Sequence, residues 1–271
     1  MSLAGGSAAA TRRWRPQPLI ANPWLRFALY GGGGLYLALA LGTLHINWAR
    51  VAEGLVRGGA FVAAFGHPDF VSRWGEISEG MIESLTMTVV ATVLGVAISL
   101  PVGLGAARNL APLPVYLVCR SIIAASRSFP EIIVAILFVK MFGFGPLAGM
   151  VTLAFATIGF MAKLLAEDLE DIDAAQVEAV RATGASWAQV MIFAVQPQVL
   201  PRFIGLSVYR LDINFRESAV IGIVGAGGIG AALNTSFSRY EFDTAAAILL
   251  LIIGIVMAAE YSSGIIRKRL Q

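Results

Sequence analysis

Residues 84–107, SLTMTVVATVLGVAISLPVGLGAA, run from Glu83 to Arg108 without a charged side chain. A helix needs about 20 mostly apolar residues to cross the ~30 Å hydrocarbon layer of a bilayer. This stretch is long enough, and it sets the measure for the rest of the chain. The gaps from Arg26 to Arg50 (apolar near 27–45), from Lys140 to Lys163, and from Asp243 to Glu260, the last continuing apolar to Ile266, qualify in the same way. Two further stretches are apolar but interrupted. Residues 113–142 carry Arg120, Arg127, Pro130, Glu131 and Lys140, and residues 203–224 carry Arg210, Asp212, Arg216 and Glu217. Charges inside a span are costly and face a bundle interior or a water-filled path. With both included, the fold class is all-α, a polytopic membrane protein of six transmembrane helices. The gap from Arg181 to Arg202 is set aside. It holds Gln189, Gln196, Gln198, Pro197 and Pro201, and its apolar residues form one stripe, as in an interfacial or loop element.

Composition agrees. The 271 residues are 57% hydrophobic and 14% charged, with a mean hydropathy of +0.75. A soluble domain has about 45–50% apolar and about 25% charged residues. The net charge of +3 is too small for a nucleic-acid binder. One cysteine, Cys119, excludes a disulfide framework, and His45 and His67 lie too far apart for a metal centre, so no metal is expected.

Lys and Arg placement orients the spans. Arg12, Arg13, Arg15 and Arg26 precede or open the first span, and Arg267, Lys268 and Arg269 close the chain. Six spans put both ends on one side, so both termini are expected in the cytoplasm. Residues 1–25 then form a cytoplasmic segment, 26–45 an uncleaved first transmembrane helix, 46–80 an external loop, and 81–271 a core domain. The same parity places residues 165–202 in the cytoplasm, where a soluble partner can dock.

Within that segment, Asp173 and Gln176 have capping-box spacing, and a helix is expected from about 174 to 183. Gly184 sits where a left-handed cap is wanted. Ser186 and Gln189 form a second capping box. Trp187, Val190, Met191, Ala194 and Val195 then line one helical face. Pro197 is expected to stop that helix. The object is helix, glycine turn, helix. A DNA-binding helix-turn-helix is excluded, because residues 166–180 hold six acids and no cation. A packed hairpin lying on the membrane remains the plain alternative.

Glu178-Ala179-Val180, three residues, Gly184, then Pro197, resembles the EAA loop of ABC-importer permeases. Val180, Ala194 and Gln196 depart from that family pattern. Further runs match in order: Leu100-Pro-Val-Gly, Arg127-Ser-Phe-Pro-Glu131, Gly143-Phe-Gly-Pro146, Arg181-Ala-Thr-Gly-Ala-Ser186, Pro197-Gln-Val-Leu-Pro201 and Val224-Gly-Ala-Gly-Gly-Ile-Gly230. Over residues 68–270 the chain resembles phosphonate permeases of the PhnE type. The resemblance implies the MetI-like fold of type I importers, in the inner (plasma) membrane. It implies a transport subunit that is not itself an enzyme and has no cofactor of its own. Its cargo would be phosphonate or a related oxyanion, phosphate or phosphite. Its partners would be a second copy of the chain, two ATP-binding subunits, an external substrate-binding protein and the lipid bilayer, with no nucleic acid. By the same resemblance Glu178, Ala179, Gly184 and Pro197 would couple it to the ATPase.

Other motifs are weighed on their residues. Gly225-Ala-Gly227-Gly228-Ile-Gly230 satisfies G-x-G-x-x-G but lies at a span end, outside any βαβ unit. These glycines either permit close helix approach or form an outer gate. No Walker A pattern occurs, so an ATP-driven process needs a motor on another subunit. Asp212 and Arg216 are spaced i, i+4, and Arg210 and Glu217 are seven apart. They either neutralise one another, make contacts between subunits or, with Asn214, line an anion path. Arg127, with Ser126 and Ser128 beside it and no nearby acid, is a further candidate for that path. A competing reading is an ion- or proton-coupled secondary transporter with Asp212 and Glu217 as its relay.

Overall fold

The computed structural model describes residues 20, 22–44 and 47–270, with side chains as far as residue 265. Expectations resting on Arg12, Arg13, Arg15, His45 and the side chains of Arg267, Lys268 and Arg269 lie outside the described residues. Every regular element among the described residues is a helix. The chain divides into two compact units, Met1–Arg57 and Gly58–Gln271.

The first unit holds α1 (Pro23–Thr43), opened by Asn22, whose side chain accepts the Trp24 N–H at 3.0 Å. Pro at the first helical position lacks only an N–H that would be unpaired there in any case. The unit boundary falls inside α2 (Trp48–Ala64). The stretch expected as a loop over 46–80 therefore contains a helix, and the next helix has begun by Trp74.

The second unit is built on α3 (Trp74–Ala106) and α6 (Pro146–Glu170), which pack together along most of their length. Small residues make this possible. A Cβ on Gly95 would lie 2.5 Å from the Thr157 Cβ, and one on Gly103 would lie 2.7 Å from the Leu165 Cδ2. Small residues are how membrane helices approach closely, since lipid supplies no hydrophobic drive between them. The end of this pair at Ala106 and Glu170 is tied by polar bonds. Glu170 accepts from the Arg108 N–H and from Arg120, each at 2.8 Å, and Asn109 donates to the Leu169 carbonyl.

Residues 113–142 are not one straight span. They form α4 (Leu113–Ser128) and α5 (Glu131–Phe142), bent by 95° at Phe129–Pro130. The residue before a proline is pushed out of the helical region, and here that local rule produces a sharp corner. Among the described residues five helices are long and apolar enough to span, or six if the bent pair is one span.

The expected stop at Pro197 is corrected. After α7 (Ala174–Ala182) and α8 (Trp187–Val190), a π-helical turn over Met191–Val195 leads straight into α9 (Gln196–Gly222), giving one helix from Trp187 to Gly222. The Gln196 N–H bonds back to the Met191 carbonyl, five residues earlier. That wider turn changes the hydrogen-bond register just where Pro197 lacks a donor. From Trp187 onward, the stretch set aside as an interfacial or loop element is thus the start of a long helix. Helices α10 (Ile229–Ser238) and α11 (Phe242–Leu270) complete the bundle. Phe61 packs against Phe237 and Phe242 at their turn.

Candidate functional site

The segment after α6 is the helix, glycine turn, helix that its sequence describes. The Asp173 side chain accepts the Ala175 N–H at 2.9 Å. The reciprocal half of the expected capping box is supplied from elsewhere. Gln198 on α9, not Gln176, accepts the Asp173 backbone N–H at 2.9 Å. Gly184 has φ +81°, and no atom lies near the direction its Cβ would take. The Ser186 N–H donates to Gln189 Oε1 at 2.8 Å and starts α8. Val177, Val190, Ala194 and Val195 are buried against Met161, Leu165 and Leu169 of α6. Trp187, expected on that buried face, is exposed. Glu178, Ala179, Gly184 and Pro197 are exposed as well. One side of this hairpin is therefore anchored to the bundle, and the other presents small residues outward.

The charged stripe of α9 is for the most part internally paired. Arg210 is buried. It bonds Glu131 at 3.3 Å, Glu217 at 3.1 Å and the Thr157 hydroxyl at 3.2 Å, and its guanidinium stacks over Phe160. Asn214, fully buried, donates to the hydroxyls of Thr92 at 2.8 Å and Thr157 at 2.9 Å. The expected Asp212–Arg216 pair forms, with Asp212 buried and Arg216 exposed. Neither Arg210 nor Asn214 has a free face for a ligand.

Ser126 donates to the Phe155 carbonyl and Ser128 to the Ala124 carbonyl, each at 2.7 Å. Arg127 is exposed, and no acid pairs with it among the described residues. No bond joins Arg127 to the Arg210 cluster. Of the six residues read as a candidate anion path, Arg127 and Arg216 present cationic surface.

The Gly225–Gly230 turn is packed hard. Gly225, Gly227 and Gly228 all have positive φ. A Cβ on Gly228 would meet Ser84 Oγ at 2.4 Å, and one on Gly230 would meet the Ala219 carbonyl oxygen at 2.0 Å. Glu83 and Ser84 of α3 accept the N–H groups of Gly228 and Ile229, both at 2.9 Å. This geometry is that of close helix approach.

Sequence spacing did not reveal Glu83, Ser84, Glu131, Thr92, Thr157 or Gln198, because each partners a distant helix. Glu131 and Gln198 do lie inside quoted runs, Arg127-Ser-Phe-Pro-Glu131 and Pro197-Gln-Val-Leu-Pro201.

Residues 99–271 match the profile of a family described as "Binding-protein-dependent transport system inner membrane component". The chain is similar to the "Phosphate-import permease protein PhnE" of Mycolicibacterium smegmatis, 38% identical over 268 residues, covering 97% of this chain and 50% of that protein. It is 44% identical over 202 residues to the "Phosphite transport system permease protein PtxC" of Stutzerimonas stutzeri, covering 74% of this chain and 73% of that one. The chain thus spans half the length of the mycobacterial relative. Among solved structures it is similar to a chain of the MetNI methionine ABC transporter in an inward-facing conformation. The TM-score is 0.65 with 27% identity, over 73% of this chain and 97% of that chain.

Proposed function

This chain belongs to the family of binding-protein-dependent transport system inner membrane components, and on that premise we propose that it forms the translocation path of an ATP-driven importer for phosphate, phosphite or a phosphonate. The names of its relatives support that cargo class. The observation that carries the coupling role is the hairpin at Gly184. It is capped at both helices, anchored on α6 through Val177 and on α9 through Gln198, and it presents Glu178 and Ala179 outward. A rigid hairpin fixed to a long membrane-spanning helix can transmit a push. A small outer surface lets another backbone come close.

On this reading the protein works as a pair of copies with two ATP-binding subunits and an external binding protein, in the inner membrane with both termini cytoplasmic. ATP is bound by the partner subunit, and this chain contributes a two-state path. The Gly225–Gly230 turn would act as a fixed outer pivot, not as a flexible gate. Arg127 and Arg216 are the cations available to an anion.

The test is uptake into proteoliposomes holding the permease, its neighbouring ATPase and its binding protein, with labelled phosphate, phosphite and methylphosphonate. Uptake should require ATP. Uptake driven by an ion or proton gradient without ATP would overturn this reading in favour of a secondary carrier. The engagement of Asp212 by Arg216 and of Glu217 by Arg210 argues against a carboxylate relay.

A further inference from the structure

We propose that Arg216 and Asp212 form a substrate-responsive clamp. An oxyanion arriving at Arg216 displaces the Asp212 carboxylate, which turns onto the hydroxyls of Thr88 and Ser263. This rests on the anion-importer reading and assigns a specific site within it.

The pair is lopsided. The Arg216 side chain is 53% exposed, whereas that of Asp212 is 5% exposed. A half-exposed guanidinium on a membrane-spanning helix does not sit against hydrocarbon without large cost, so it needs a further polar partner, and an oxyanion supplies one. Arg210, two turns earlier, is closed to a ligand by Glu131, Glu217 and Thr157.

Behind the pair lies a cavity of about 210 Å³ between α3, α9 and α11. Its wall is largely aliphatic, formed by residues such as Leu85, Val89, Leu211 and Ile255. Four polar residues also line it: Thr88, Asp212, Ser262 and Ser263. Ser262 is exposed and donates to the Ala258 carbonyl at 2.7 Å, whereas the other three are each at least nine-tenths buried. Asp212 Oδ2 takes Arg216, and Asp212 Oδ1 has no hydrogen-bond partner among the described residues. Thr88 Oγ1 and Ser263 Oγ have none either.

The contrast with the rest of the bundle is informative. Thr92, Ser99, Thr152 and Ser218 all donate to a carbonyl three or four residues back. Thr88 and Ser263 do not. A buried hydroxyl without a partner is destabilising. Two donors without an acceptor and one acceptor without a donor therefore share one space. The complementarity has a use if Asp212 has two resting places, one on Arg216 and one on the two hydroxyls.

Both hydroxyls can donate to the Asp212 carboxylate once it leaves Arg216. Because it competes with the anion for the same guanidinium, binding at Arg216 stays weak enough for release, which a transport site requires. The switch also moves a bond that lies within α9 to one that ties α9 to α3 and α11, which links occupancy to helix position.

The experiment uses the assembled transporter with Thr88→Val and Ser263→Ala together. Valine keeps the shape of threonine and removes only the hydroxyl. Without anion, the thermal midpoint should equal or exceed that of the wild type, because the lost hydroxyls were unpartnered in that state. With anion-loaded binding protein, uptake of phosphate or phosphite should fall about tenfold, the scale of one hydrogen bond to a charge. Thr88→Ser should retain most of the uptake. Wild-type uptake by the double variant, or a lowered midpoint without anion, would overturn the clamp while leaving the importer reading in place. Absence of any oxyanion uptake by the wild-type assembly would overturn the importer reading and the clamp with it.

Discussion

The side chain of Gln198 accepts the backbone N–H of Asp173 at 2.9 Å and donates to the carbonyl of Ala194 at 2.7 Å. One residue of the long helix α9 thus closes the first turn of α7 and also grips the π turn beneath it. An axial shift of α9 carries the start of α7 along.

Gln198→Ala should therefore uncouple more than it destabilises. The freed Asp173 N–H is exposed and can turn to water, so the stability loss is about 1 kcal/mol. ATP hydrolysis stimulated by loaded binding protein should fall severalfold, and Gln198→Glu, which keeps the acceptor, should preserve most of it. Full stimulation in Gln198→Ala would show that α7 does not follow α9 through this bond.

Gly184 separates backbone need from surface need. Its φ of +81° disfavours a side chain, but the space around it is open. Gly184→Asn should be tolerated, since asparagine enters the left-handed region readily. Gly184→Trp adds about 1–3 kcal/mol of backbone strain and bulk where the ATPase would dock. The tryptophan variant should reach the membrane yet fail to co-purify with the ATPase. Normal association would remove this turn from the docking surface.

Arg210 is read as structural. Arg210→Ala leaves Glu131 and Glu217, both only partly buried, facing each other without a cation, a loss of about 1–3 kcal/mol with solvent screening allowed for. Expression level and thermal midpoint should both drop sharply. A stable Arg210→Ala protein with altered anion selectivity would show instead that this arginine serves the path.

Gly230→Ala should be among the most damaging small substitutions. Its new Cβ would lie 2.0 Å from the Ala219 carbonyl oxygen, which belongs to the α9 backbone and cannot rotate away. Overpacking of this kind costs about 1–3 kcal/mol or more. Fluorescence-detected size exclusion should report loss of the folded peak, and a normal profile would show that the α9–α10 turn can yield.

Arg127→Ala should leave stability within about 0.5 kcal/mol, as expected of an exposed side chain without an ion pair. Oxyanion uptake should nonetheless fall. Uptake at the wild-type rate would exclude Arg127 from the path.

Neighbouring residues alone set the solvent this protein lives in and its local joints. Charge-free length is a property of neighbouring residues, so the stretch from Glu83 to Arg108 is enough to place a helix in a bilayer. Caps act over three or four residues, so Asp173, Gly184, and Ser186 with Gln189 are legible one by one. The pairs Asp212–Arg216 and Arg210–Glu217 follow from helical spacing alone. Tertiary structure decided everything that needs a second helix. Pro197 reads as a stop until a π turn changes the register ahead of it. Glu131 completes the Arg210 cluster from 79 residues away, and Gln198 replaces Gln176 at the start of α7. Spacing leaves the glycines at 225–230 open to gate or packing roles, and the close approach of Ser84 and Ala219 to them is set only by the packed helices. Spacing fixes which side chains share a face of one helix. Which faces share a dry space is set by how closely the helices pack, and small residues far apart in the chain decide that.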